Sequence, residues 1–330
     1  MNDKNRFHSI CIYLCWFGGL PSYYWAWRKS ALANQSIDFY IFTDRTEIIS
    51  ESNIIVNYFS FDQLRELFQS KYDFIITLDK PYKLCDYKPA LGDIFYDITK
   101  QYDFWAYCDM DMVFGDIRAF INGELLNNVF RIFTVGYFSV YRTSRIMIDL
   151  YKNDGNYPEY NYREAFSTGE ACLFDEFRGM EPKCYRNNIS IYYAPVARNY
   201  DHRKHGFYNK SGEQVYLQWD HGKLFEINYA TLNKTEILFA HYCKRKMDSD
   251  KMLQDTFYIS STAITNKKPK FIDYPDIHEK KYMVNFYINR LHKRINEDGI
   301  VRFISLQIRR KRISKYNAYL RRKIKRNEKL

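Results

Sequence analysis

The sequence predicts an α/β domain on a mostly parallel, Rossmann-like sheet flanked by helices, followed by a basic helical C-terminal tail. Three observations predict it. Apolar strand-like runs alternate with helical stretches over the first third of the chain. Acidic residues stand where such strands end: Asp44 closes "IDFYIFTD", and Asp109 and Asp111 follow "FWAYC". Positive charge gathers at the C-terminus, where residues 301–330 hold 12 Lys and Arg against one Glu and account for the whole net charge of +11.

The elements follow in order. "HSICIYLCWFGGLPSYYWAWRKSALANQSIDFYIFTD" reads as strand, Gly-Gly-Leu-Pro loop, helix and strand. "NIIVNYFS" is a further strand, and "FDQLRELFQSKY" a helix. Lys88 to Lys100 reads as one helix with Pro89 near its start, where proline is tolerated. The aspartate strand comes directly after. "IFTVGYFSVYRTS" reads as a strand pair around Gly136, and "GEACLFDEFRG" as a short helix carrying Asp175 and Glu176. "TEILFAHYCKRKM" is an apolar strand that ends at His241 and runs into Lys244, Arg245 and Lys246. From about residue 280 the pattern is helical and increasingly basic. The expected division is therefore a domain over 1–275 and an extension over 276–330.

Composition narrows the class. Of 330 residues, 46% are hydrophobic, which fits a globular chain and excludes a disordered one. The 31 Tyr and 25 Phe serve first to fill a core. No run of about 18 apolar residues occurs, so no transmembrane helix is expected. The N-terminal apolar run lacks a small-residue cleavage site and reads as a first strand. Seven cysteines without a Cys-x-x-Cys pair suggest neither a zinc site nor a disulfide framework, and fit a reducing, cytoplasmic compartment. A pI of about 9.1 raises the possibility of a nucleic-acid-binding protein. The first 300 residues balance in charge, however, which argues against a broad phosphate-tracking face, and no nucleic acid is expected as a partner. In the tail, Ile313, Tyr316, Leu320 and Ile324 fall at helical spacing among Lys and Arg. A basic amphipathic helix of that kind suits an anionic membrane surface.

The chemistry rests on Asp109 and Asp111. Ionised carboxylates next to a buried strand are costly unless something pairs with them. An Asp-x-Asp triplet alone is a weak signal, because such triplets commonly sit in solvated loops. Here it closes an apolar strand, at the end of a parallel sheet where ligands bind. His241, at another strand end, adds an imidazole. Two carboxylates and one imidazole make an incomplete shell for Mn²⁺ or Mg²⁺, with positions left for phosphate oxygens. Lys244, Arg245 and Lys88 offer the positive charge a diphosphate needs.

On these motifs, "YKLCDYKPALGDIF", "YDFWAYCDMDMVFGDI", "GYFSVYR", "FDE" and "HYCKRKM" over roughly residues 8–250, the chain resembles nucleotide-sugar glycosyltransferases of the GT-A fold. In particular it resembles an uncharacterised bacterial family of polysaccharide-biosynthesis transferases. The resemblance implies that Asp109, Asp111 and His241 hold the metal on the donor diphosphate, with Asp109 also on the donor. It implies that Lys244 and Arg245 lie near the leaving diphosphate. Phe17, Gly18 and Asp44 would bracket base and ribose, and Lys83, Lys88 and Asp93 would lie by the donor. Asp175 and Glu176 fall where inverting members carry a catalytic carboxylate. The implied donor is a UDP-linked hexose such as galactose or glucose. The implied acceptor is a glycan or lipid-linked glycan of capsule, O-antigen or lipooligosaccharide, at the inner face of the membrane. A metal-dependent nucleotidyltransferase or phosphohydrolase is the competing enzyme class. It calls for a Gly-rich phosphate loop, and "FGGLP" lacks the Lys-Ser/Thr ending of one.

Overall fold

The computed structural model describes residues 7–155, 157–243, 245–272, 284–285, 287–289, 291–292, 295–296 and 299–327, with side chains to residue 323. At its centre β1 (Ile10–Trp16), β2 (Asp38–Thr43), β3 (Ile54–Tyr58) and β4 (Phe104–Cys108) pair in parallel in the order β3-β2-β1-β4. Beyond a short β5 (Met112–Phe114), β6 (Arg131–Val135) and β7 (Phe138–Arg142) form a hairpin. Strand β7 lies antiparallel against β4, and β8 (Ile191–Tyr192) joins β6 in parallel. Only β7 runs against the others, so the sheet is mostly parallel.

Strands β1 and β4 are apolar along nearly their whole length because helices cover both faces of the sheet. On one face Ile12, Leu14, Phe39 and Ile41 pack against Trp27 of helix α1 (Tyr24–Leu32). On the other, Tyr13, Phe42, Trp105 and Tyr107 pack with Leu64 and Phe68 of helix α2 (Phe61–Gln69). A capping box between Ser60 and Gln63 starts α2.

Three expectations need correction. Lys88–Lys100 is not one helix but short turns, Lys88–Ala90, Leu91–Ile94 and Tyr96–Thr99. The break falls at Phe95, whose ring stacks on Phe42 with centroids 3.9 Å apart, so core packing overrides local propensity. "GEACLFDEFRG" is a turn, and the helix starts only at Met180. The N–H groups of Cys172 and Phe174 donate to the Asp86 carboxylate instead of to a helical ladder. "TEILFAHYCKRKM" breaks at Leu238 into two strands that serve different sheets.

Those sheets occupy the second half. Strands β9 (Ala197–Asn199), β10 (Phe207–Tyr208), β11 (Gln214–Asp220), β12 (Lys223–Asn228), β13 (Lys234–Ile237), β14 (Phe239–His241), β15 (Asp248–Ser249), β16 (Thr256–Ile259) and β17 (Ala263–Thr265) follow in sequence. Most form one sheet in the order β13-β12-β11-β16-β17-β15, with β10 on β11. Strand β14 leaves it to sit between β5 and β9 in a three-stranded sheet. That small sheet fastens the second half to the end of the aspartate strand.

The C-terminal helix Ile300–Asn327 packs along the helix Met180–Arg186. The apolar stripe assigned to a membrane turns inward here. Ile313 and Leu320 are buried, and Tyr316 stacks on Tyr157. The side chain of Ile324 and the boundary at 275/276 lie outside the described residues. No helix among the described residues is long and apolar enough to cross a membrane.

Candidate metal and donor site

The aspartates are placed by backbone pairing on both sides. Asp109 leaves the carboxyl end of β4, and its N–H donates to the carbonyl of Tyr137 in the β6–β7 turn at 3.0 Å. Asp111 precedes β5. Its carbonyl accepts the N–H of Tyr242 at 2.9 Å, while β14 pairs His241 with Met112. This register sets His241 beside Asp111. Ligand atoms of Asp109, Asp111 and His241 all lie within 4.8 Å of one another.

The imidazole is oriented for a metal. Its Nδ1 is 2.8 Å from Asn199 Oδ1, across the β9–β14 pairing. In the tautomer whose Nδ1–H donates to that oxygen, Nε2 is free to ligate a metal, the arrangement common to metal-ligating histidines. Nε2 then faces Asp111 Oδ1 at 3.2 Å. A proton or a shared cation can satisfy that approach, and with Asp109 alongside the three-ligand set fits a divalent ion. The Tyr137 ring stacks on the imidazole with centroids 4.2 Å apart and holds its plane.

These ligands open into a cavity of about 490 Å³, within the range of small-molecule sites. Trp16, Phe17, Lys88, Tyr137, Asp175 and Glu176 are among its other walls. The Lys88 ammonium closes on Asp109 and donates to the Gly136 carbonyl at 2.6 Å. Burial opposes its charge, but the carboxylates of Asp109 and Asp175 outweigh burial and raise its pKa. The Gly136 N–H donates to Glu176 Oε1 at 2.9 Å. A Cβ at Gly136 would come within 2.6 Å of Asp175 Oδ2 and 2.8 Å of Glu176 Oε1, so only glycine lets the acidic pair close in. Burial first, and then Glu176, push the Asp175 carboxyl well above the usual carboxylate range. Asp175 Oδ1 is buried without a hydrogen-bond partner.

The other sequence-marked residues separate into two groups. Phe17 forms part of the wall, and the next residue, Gly18, donates its N–H to Asp44 at the end of β2. Lys83, Asp93 and Arg245, expected by the donor, are instead engaged elsewhere. Lys83 is buried, pairs with Asp86 at 2.7 Å and donates to the carbonyls of Ala165 and Glu170. Asp93 accepts from Tyr151 and Lys152. Arg245 donates to the carbonyls of Asp201, Lys204 and Gly206 and so ties a loop together. Lys244 lies outside the described residues. Asn199, Gly136, Tyr137 and the anchoring Asp86 escape a reading of the sequence. Gly136 shows there only as the centre of a hairpin.

Fold and site together define an α/β protein with a metal-competent Asp-Asp-His cluster in a cavity beside the carboxyl end of a parallel strand. Residues 12–268 match a family of unknown function, DUF6625, and the chain belongs to that family. No curated protein matches the chain. Among solved structures it is similar to the galactosyltransferase LgtC in complex with donor and acceptor sugar analogs. That similarity has 12% identity and a TM-score of 0.33, over 58% of this chain and 75% of that one. At that level no residue's role is carried across.

Proposed function

We propose that this protein is a metal-dependent glycosyltransferase, moving a hexose such as galactose or glucose from a UDP-linked donor to a glycan acceptor of a bacterial surface polysaccharide. One observation carries the reading: Asp109, Asp111 and His241 share one cavity with Lys88 and the acidic pair Asp175–Glu176. Asp109, Asp111 and His241 would hold Mn²⁺ or Mg²⁺, which neutralises charge growing on a leaving diphosphate. Lys88 adds a fixed cation on the same side. Phe17, Gly18 and Asp44, at the ends of β1 and β2, would bracket the nucleoside. Glu176 would take the proton from the acceptor hydroxyl, held in place by the Gly136 N–H. Asp175, whose pKa burial raises, would hydrogen-bond a sugar hydroxyl beside it.

The same reading puts the protein in the cytoplasm, peripheral on the inner face of the membrane. Support comes from the C-terminal helix, where Val301, Ile304 and Ile308 are exposed beside Tyr157 and Pro158, along with Lys311, Arg312 and Lys315.

The test is turnover of UDP-hexoses with Mn²⁺ and a lipid-linked glycan. The account expects UDP release that needs the metal and falls about 100-fold or more in Asp111→Asn, in line with metal sites in catalysis. Release of hexose 1-phosphate instead, by cleavage of the phosphoanhydride bond, would favour the phosphohydrolase or nucleotidyltransferase class.

A further inference from the structure

The acidic pair sits in a turn, residues 174–179, that belongs to no helix or strand. Its position therefore depends on what grips it. On the inner side Asp86 accepts the N–H groups of Cys172 at 2.8 Å and Phe174 at 2.9 Å. On the outer side the grip comes from the C-terminal helix. Asn317 Nδ2 donates to the carbonyl of Phe177, the residue after Glu176, at 2.8 Å. Asn317 is only 5% exposed, between the buried Ile313 and Leu320. Arg302, Arg309 and Arg321 pair with Glu170, Glu164 and Glu181, on either side of the turn. The Arg302 and Arg309 pairs are partly exposed and contribute little each in water. The Arg321 pair, with Glu181 buried, anchors the helix after the turn, so the buried Asn317 amide is the side-chain contact that the C-terminal helix makes to the turn itself.

We propose that the C-terminal helix is part of the site's framework, and that Asn317 is a positioning residue that sets the Glu176 carboxylate through the Phe177 carbonyl. The helix's side-chain bonds described above run to residues 164–181, so its influence falls on the acidic side of the cavity. Removing the Asn317 amide leaves the Phe177 carbonyl without its buried donor, and the turn relaxes. The effect on turnover rests on the glycosyltransferase reading; the effect on the turn does not.

The experiment compares full-length wild type with Asn317→Leu, which keeps the volume, and Asn317→Asp, which keeps the shape, so that one of them serves if the other fails to fold. Hydrogen exchange is followed over 170–181 and over 104–114, and kcat and KM are measured with a UDP-hexose. The expected result is at least tenfold faster exchange in 170–181, unchanged exchange in 104–114, and a kcat lowered tenfold or more with KM for the donor unchanged. Unchanged exchange in 170–181 overturns the proposal. So does a parallel loss at both segments with kcat and KM moving together, which marks general destabilisation. Should wild type turn over no nucleotide sugar, the glycosyltransferase reading falls, and exchange alone decides whether Asn317 sets the turn.

Discussion

Asp175 and Glu176 are neighbours in sequence and differ in environment. Glu176 accepts a backbone N–H at the cavity wall, while Asp175 is 2% exposed with one oxygen unpartnered. Burial raises the Asp175 pKa, and the sign of its effect on stability follows. In the unfolded chain an aspartate releases its proton near about pH 4. The folded protein holds that proton to a higher pH. Its contribution is therefore complete below about pH 4 and is lost as pH rises toward the folded pKa. Asp175→Asn removes this dependence. Urea unfolding at pH 5 and pH 7 should show the variant gaining on wild type as pH rises, by up to about 1.4 kcal/mol per pH unit. A difference that stays flat or reverses would mean that Asp175 is ionised in the fold. Legibility at this scale divides by range. Asp109 and Asp111 stand out in sequence because charge interrupts an apolar run. Asn199 does not, because it meets His241 only through the pairing of β9 with β14.

At the scale of elements, β1 to β4 and α1 and α2 are legible, since their hydrophobic periods and end signals agree. The second sheet is missed, although "QVYLQWDHGKLFEIN" alternates about a two-residue turn. His221 and Gly222 there both have positive φ, 47° and 88°, the geometry of a tight hairpin. The acidic turn mimics a helix in sequence because Asp86, some 90 residues earlier, supplies what the helix would have supplied. The C-terminal stripe carries the subtlest ambiguity. An apolar face at helical spacing is the same pattern whether a membrane or the protein's own body covers it. With Ile313 and Leu320 buried, the proposed membrane contact would fall to the exposed row Val301, Ile304 and Ile308. Replacing these three by Ser should release the protein from vesicles containing phosphatidylserine in a sedimentation assay, with the melting point unchanged. Retention on the vesicles would exclude this row as the contact.

For the whole molecule, two sheets converge on one cavity. The parallel sheet brings the aspartates, the three-stranded sheet brings His241, and the β6–β7 hairpin joins them through Gly136 and Tyr137 to the acidic turn. The central claim is that this convergence binds a divalent ion and a nucleoside diphosphate together. A ligand that binds only the native state stabilises it by about 2.7 kcal/mol at a hundred times its Kd. For a chain of this size that is a rise on the order of 5 °C. The most direct measurement is the melting point of wild type and Asp111→Asn with UDP, with Mn²⁺, and with both. The account predicts a rise of that order for wild type with both ligands, a much smaller one with either alone, and none for Asp111→Asn. No shift with UDP or any other nucleotide, with or without metal, would contradict it.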